Sequence, residues 1–572
     1  MKLRNLFLLA AAGLAVCTPL SAEVPVYTDM TALNSTADTE TAYRQRSIRA
    51  YLPIETVRDR YKISNYSRFE NPTGILFQGG EKAVITVEGK PSGPLSLIVH
   101  DFGKSGADEE FPLHEGENVL PVAKGGLGYL NYRADDPNAA ATLKVGIQGG
   151  TINGIFTHKD SAETWKKLLA HAVAPMLDIM GERVQLAFDV EGLRQGCPED
   201  GPEMIANYDR IMALEQRIMG WEITDPHPGN HVHGRAMWSG FMHADGIGAA
   251  FIYTETPNLC HPQRMLEQSW GIAHEFGHVN QTRPGMMWVG MTETTNNICS
   301  ALVNYKLYPQ NLRLEHEVGR TPDNFVLRGS RFDGYVNSAV VHHQLWAYQA
   351  GPDDGVGNVP GVKEGDPFVI CIPLWQLYLY CTEARGLQNF YPDIYHEARV
   401  NDDAARTNGE LRTQFFKRAC AAAQMDLTDF FVTTGMLAPI NRMVNDYNSA
   451  HMTVTRKMCR EVLDYAARFP KADTSVLYYI TGNSVGIYRD KLAVVPSPDF
   501  KPEIRNGRFT VPAGTWKNAV AFEVYRGDEL IRVNLLGLNH EDNETTDVIL
   551  PEGATSVKAV QWNGERVEML EV

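Results

Sequence analysis

The sequence predicts a multidomain α+β protein: an N-terminal β-sandwich, a mainly helical domain in the middle and a C-terminal β-domain. Three observations predict it. The chain has 572 residues, enough for roughly three to four folding units. Short β-rich runs, broken by glycine and proline, occupy two separate stretches. Between them, apolar residues recur at helical spacing.

The first element, residues 1–22, reads as a secretory signal. Lys2 and Arg4 precede an apolar run from Leu6 to Val16, too short to span a bilayer comfortably. Ser21-Ala22 offers small residues at the cut, leaving Glu23 first. The alternative is a lipid anchor, because Leu14-Ala15-Val16-Cys17 resembles a lipoprotein box with Cys17 as the lipidated residue. No later segment reads as transmembrane. Residues 23–68 form a lead-in, irregular at first and helical through Ala42–Tyr61.

Residues 69–148 carry the β-sandwich. Its runs are Gly74-Ile-Leu-Phe-Gln, Ala83-Val-Ile-Thr-Val and Leu95-Ser-Leu-Ile-Val, punctuated by Gly79-Gly80, Gly89 and Pro91–Pro94. The middle domain spans 149–470. Ser161–Met180, Glu203–Met219, Gln263–Gln281, Glu293–Tyr305, Leu374–Ala384 and Asn408–Gln424 have helical spacing, and Gly246–Tyr253 reads as a strand. Residues 475–572 form the C-terminal β-domain, with turns at Arg526-Gly527-Asp528 and Asn563-Gly564.

Charge excludes one class of partner. The chain carries 53 basic and 69 acidic residues, a formal charge of −16. It has no basic tract, and a phosphate backbone would be repelled, so nucleic acid is not expected. Beyond Cys17, the cysteines are Cys197, Cys260, Cys299, Cys371, Cys381, Cys420 and Cys459. None forms a Cys-x-x-Cys pair, so a thiolate zinc site is not indicated.

The chemistry concentrates in Gly271-Ile-Ala-His-Glu-Phe-Gly-His-Val-Asn280. Residues four apart on a helix lie about 40° apart around its axis, so His274 and His278 share a face. Two imidazoles so placed can ligate one Zn²⁺. Glu275 then stands beside the open coordination position, where a general base for water belongs. A third protein ligand is needed. Glu293 is the candidate, beyond a Pro284-Gly285 break that lets the chain turn back toward the first helix. Asp245, Glu255 and Glu267 are its rivals. Candidates for stabilising an oxyanion are Tyr378, Tyr380, His342 and His343. His227, His231, His233 and His243 cluster upstream, but their spacing fits no single helix face. Trp288 suits either a sugar-stacking or a core role. Asp353-Asp354 hints at calcium but lacks a full ligand series.

His274-Glu-Phe-Gly-His278, followed by Glu293 and Asn296-Asn297, resembles the M60 (enhancin-like) family of zinc metallopeptidases. Gly277 matches the family's His-Glu-x-Gly-His pattern. Asn71-Pro-Thr-Gly-Ile75 resembles the sandwich preceding its catalytic domain. Pro373-Leu-Trp-Gln-Leu-Tyr378, Tyr391-Pro-Asp393 and Asp426-Leu-Thr-Asp-Phe-Phe431 resemble its downstream helical part. The similarity covers roughly residues 40–440.

The resemblance implies a gluzincin-like catalytic domain that binds one Zn²⁺ through His274, His278 and Glu293, with Glu275 as base. It implies cleavage of mucin-type O-glycosylated proteins by a bacterial enzyme that is periplasmic, cell-surface or secreted. Two other readings stay open: an exported metallopeptidase with no glycan requirement, and a glycan-binding adhesion protein with a peptidase-like fold.

Overall fold

A computed structural model describes residues 43–103, 106–316, 318–320, 326–343, 367–538 and 545–572. The signal segment, Cys17 and Asp353-Asp354 lie outside these residues.

Two antiparallel sheets come first. One has four strands in the order Gln45–Ile48, Leu143–Gln148, Lys82–Glu88, Gly116–Pro121. The other has five, in the order Asp108–Pro112, Leu95–His100, Gly125–Tyr132, Pro72–Gln78, Thr151–Ile152. Period-two alternation brings them together. Ala83, Ile85 and Val87 all point inward, and Ile85 and Ile147 meet Leu97 and Leu130 in one buried cluster. The stretch 42–61, expected to be helical, divides into the strand Gln45–Ile48 and the helix Ile54–Tyr61. Its apolar residues do not keep one period: Ile48 and Ala50 join the sheet core, whereas Val57 and Tyr61 line a helix.

The middle of the chain holds a six-stranded mixed sheet, of which the sequence showed only one strand. Its order is Ile155–Thr157, Met176–Met180, Val184–Asp189, Val232–Met237, Gly248–Ile252, Met242–Asp245. The segment 161–180, expected to be one helix, is the helix Ala162–His171 followed by the second of these strands. Val184–Asp189 is buried at every position, so its apolar run carries no alternation to read. Gly248–Ile252 is paired on both sides, so it is interior. Met242–Asp245 is the edge strand on this side, and Ile155–Thr157 is the edge strand at the other end.

Two helices against this sheet carry the site. The His-Glu helix, Ser269–Asn280, sets Phe276 between Phe251 of the sheet and Tyr208 of the helix Gly201–Ile218. Gly234 permits this, because a Cβ there would meet Phe276 at 2.9 Å. The helix Asn297–Leu307 then packs across the His-Glu helix. A Cβ on Gly277 would stand 2.7 Å from the carbonyl oxygen of Asn296, closer than van der Waals contact allows. Glycine is therefore the residue that lets these two segments touch.

Further helices, including Pro367–Leu377, Phe390–Val400 and Asn408–Ala423, extend this core. The C-terminal strands form a two-stranded and a four-stranded sheet around Phe509, Phe522, Val548 and Val557. Asn337 joins the four-stranded sheet to the helical block. Its amide donates to the Val533 carbonyl and accepts from the Val533 N–H, both at 2.9 Å, so it mimics a neighbouring strand. Among the described residues, no helix is long and apolar enough to cross a membrane.

Two tests follow from this packing. In Gly277→Ala, relief of the contact with Asn296 must push the two helices apart. Overpacking of this kind costs about 1–3 kcal/mol. Denaturant unfolding should register that loss, and metal analysis should find less bound metal than in the wild type.

The second test concerns Asp178, which receives the Tyr129 hydroxyl at 2.9 Å across the junction between the N-terminal and middle sheets. Burial raises its pKa from the ordinary carboxylate range to about 7. The folded chain thus holds a proton that the unfolded chain releases near pH 4. This contribution to stability is complete below about pH 4 and is lost as pH rises toward 7. Unfolding free energies between pH 4 and 8 should fall more steeply for the wild type than for Asp178→Asn.

Candidate metal centre

The His-Glu helix aims His274 and His278 from one face, with ring centroids 4.8 Å apart and planes nearly perpendicular. Glu293 is not on the following helix, contrary to the spacing argument. It sits in the tight turn 292–296 that leads into Asn297. Met291 begins this turn, its carbonyl accepting the N–H groups of Thr294 and Thr295. The Gln281 amide ties the end of the His-Glu helix to the same turn, donating to the Thr292 carbonyl at 3.2 Å and to the Thr295 hydroxyl at 2.5 Å.

This geometry brings three donors together. Glu293 Oε2 lies 3.0 Å from His274 Nε2 and 3.3 Å from His278 Nε2. One ligand atom from each residue falls within 4.8 Å of the others, and among the described residues no other group of three His, Cys, Asp or Glu does so. Two nitrogen donors and one carboxylate oxygen, converging without a fourth His, Cys, Asp or Glu among the described residues, fit a catalytic zinc site.

The flanking asparagines orient the set. His274 Nδ1 lies 2.9 Å from Asn297 Oδ1, which favours the tautomer that leaves Nε2 free as a ligand. The Asn297 amide also donates to the Glu293 carbonyl at 2.6 Å. The Asn296 amide donates to the His274 carbonyl and sits 3.1 Å from His278 Nε2.

Electrostatics match this arrangement. Burial disfavours the charge on Glu293, but its contacts with the two imidazoles outweigh burial and hold its pKa well below the carboxylate range. Burial pushes the His274 pKa down, whereas Glu293 and Glu275 draw it up to about 9. A metal ion binding here therefore displaces a proton. Glu275 is 3% exposed, and burial raises its pKa against the opposing pull of His274 and His278. A carboxylate poised upward in this way suits proton transfer near neutral pH. His243, on the edge strand Met242–Asp245, is among the groups that ease Glu275 ionisation.

The other sequence candidates fall elsewhere. Asp245 pairs with Arg235, and Glu255 accepts from Asn258. Tyr378 and Tyr380 donate to Glu383 and Asp473. Neither they nor His342 and His343 hydrogen-bond to the triad. His231 pairs with buried Glu70, and His233 packs against Phe69 and Phe102. Trp288 is buried against Phe415, which gives it a core role.

Sequence reasoning missed Tyr447, whose hydroxyl donates to Glu293 Oε1. It also missed Asp446, whose Oδ2 accepts the N–H groups of Gly290 and Thr292 and the Thr292 hydroxyl. Both lie more than 150 positions along the chain from these partners. No local motif marks them.

Solved structures share this fold. One is a metallopeptidase in complex with Tn antigen, 24% identical, covering 93% of this chain and 99% of its own with a TM-score of 0.71. Another is a metallopeptidase from Bacteroides thetaiotaomicron, 23% identical, with coverages of 94% and 91% and a TM-score of 0.72. A third is the M60 catalytic domain of Clostridium perfringens ZmpC in complex with the sialyl T antigen, 15% identical, with coverages of 92% and 100% and a TM-score of 0.63. No curated protein matches the chain in sequence. Residues 156–435, which hold His274, His278 and Glu293, match the family model described as peptidase M60, enhancin and enhancin-like. They form an M60-type metallopeptidase domain.

Proposed function

We propose that this protein is an exported bacterial zinc endopeptidase that hydrolyses peptide bonds in mucin-type O-glycosylated proteins. The observation that carries the reading is the convergence of His274, His278 and Glu293 beside the buried carboxyl of Glu275. In this reading the three residues hold one zinc ion per chain. Zinc supplies a Lewis acid that polarises a carbonyl and draws the pKa of a water toward 7. Glu275 takes the proton of the attacking water and returns it to the leaving amine.

The substrate lies as an extended strand along the free edge of Met242–Asp245, which packs on the His-Glu helix. Edge pairing binds the peptide backbone without regard to its side chains, so sequence or glycan preference must come from neighbouring surfaces. The glycan part of the reading is supported by the Tn antigen and sialyl T antigen bound to two structures of the same fold. The domain reading assigns residues 69–148 to a β-sandwich, 149–470 to a gluzincin-like catalytic domain and 475–572 to a C-terminal β-domain.

An O-glycosylated mucin fragment tests the proposal. Mass spectrometry should find cleavage next to glycans, and a chelator should abolish it. Glu275→Ala should cut roughly 10²–10⁴-fold more slowly. Equal rates for the variant would remove Glu275 from the mechanism. Equal cleavage of the deglycosylated fragment would remove the glycan requirement. Binding without cleavage would favour an adhesion protein instead.

A further inference from the structure

Glu293 is held from two sides. Its Oε2 faces both imidazoles, while its Oε1 receives the hydroxyl of Tyr447. The two carboxylate oxygens are thereby given different tasks. Tyr447 stands at the tip of a hairpin formed by Ile440–Asp446 and Asn448–Val454, whose register closes with Asp446 opposite Asn448. The tip residue adopts φ 56°, a left-handed conformation that bulky side chains rarely take. The neighbouring residue holds it there. Asp446 Oδ2 accepts the N–H groups of Gly290 and Thr292 at 2.8 and 3.2 Å, and the Thr292 hydroxyl at 2.7 Å. The hairpin is thus fastened to the segment that leads directly into Glu293. Tyr447 itself is 60% exposed, so its ring contributes little to a core, yet its hydroxyl is directed at the carboxylate.

We propose that Tyr447 is a positioning residue for the metal centre: its hydroxyl occupies Glu293 Oε1, so that Glu293 offers only Oε2 as a ligand. This rests on the reading of Glu293 as a zinc ligand. A one-oxygen ligand leaves a coordination position free for water and substrate. The hydrogen bond also fixes the rotamer of the carboxylate, the usual task of groups that contact metal ligands from outside.

Tyr447→Phe removes the hydroxyl and keeps the ring. Zinc competition against a chromophoric chelator should show about 10–100-fold weaker affinity. The cobalt-substituted variant should lose visible absorptivity, because Oε1 becomes free to chelate and raises the coordination number. The metal-free variant should melt with the wild type, and Asn448→Ala, altering the adjacent exposed residue, should leave affinity and spectrum unchanged. Unchanged affinity and spectrum in Tyr447→Phe would overturn the proposal. So would a loss of kcat with both unchanged, which would indicate a direct contact with substrate. Glu293→Ala separates the two layers of the argument. If that variant binds zinc as tightly as the wild type, the ligand reading itself fails.

Discussion

The candidate metal centre depends on how closely two segments approach. The His-Glu helix brings two imidazoles, and the turn 292–296 brings the carboxylate. They meet because Gly277 has no side chain to strike the Asn296 carbonyl. The loop between them is then tied back by Gln281 at one end and by Asp446 from a remote hairpin. A displacement of an ångström at this contact would separate three donors that now lie within 4.8 Å. The glycine is therefore as much a part of the site as the histidines.

Around this contact the core holds linked polar groups. Glu215 is buried beneath the His-Glu helix, where it accepts the Asn280 amide at 2.8 Å, and burial pushes its carboxyl well above the ordinary range. Asn280 in turn accepts the Tyr66 hydroxyl, which reaches it from the segment between the helix Ile54–Tyr61 and the strand Pro72–Gln78. Buried polar groups of this kind are costly unless satisfied. Their linkage ties the end of the His-Glu helix to two other parts of the molecule. The helix is thus fixed on one face by Phe276 among Phe251 and Tyr208, and at its end by hydrogen bonds.

Much of this was legible from residues alone, and the limits have physical causes. Helices with clean periodicity, such as Gly201–Ile218 and Asn408–Ala423, lie within a few residues of their expected places. Strands that alternate, such as Lys82–Glu88, were equally readable. The middle sheet was not, because strands such as Val184–Asp189 are buried on both faces and carry no alternation. The edge of that sheet was not readable either. A sequence can suggest that Gly248–Ile252 is extended, but not that another strand, Met242–Asp245, pairs outside it.

The sequence by itself determined the candidate donor types and two of their positions, because the helical repeat places His274 and His278 on one face whatever surrounds them. It also offered Glu293, though on a helix rather than in a turn. Tertiary structure alone decided how Glu293 is presented. The hydroxyl of Tyr447 and the anchor at Asp446 come from a hairpin with no local sequence relation to the motif. Periodicity reaches only as far as one element, whereas the orientation of a carboxylate depends on every group that packs against it.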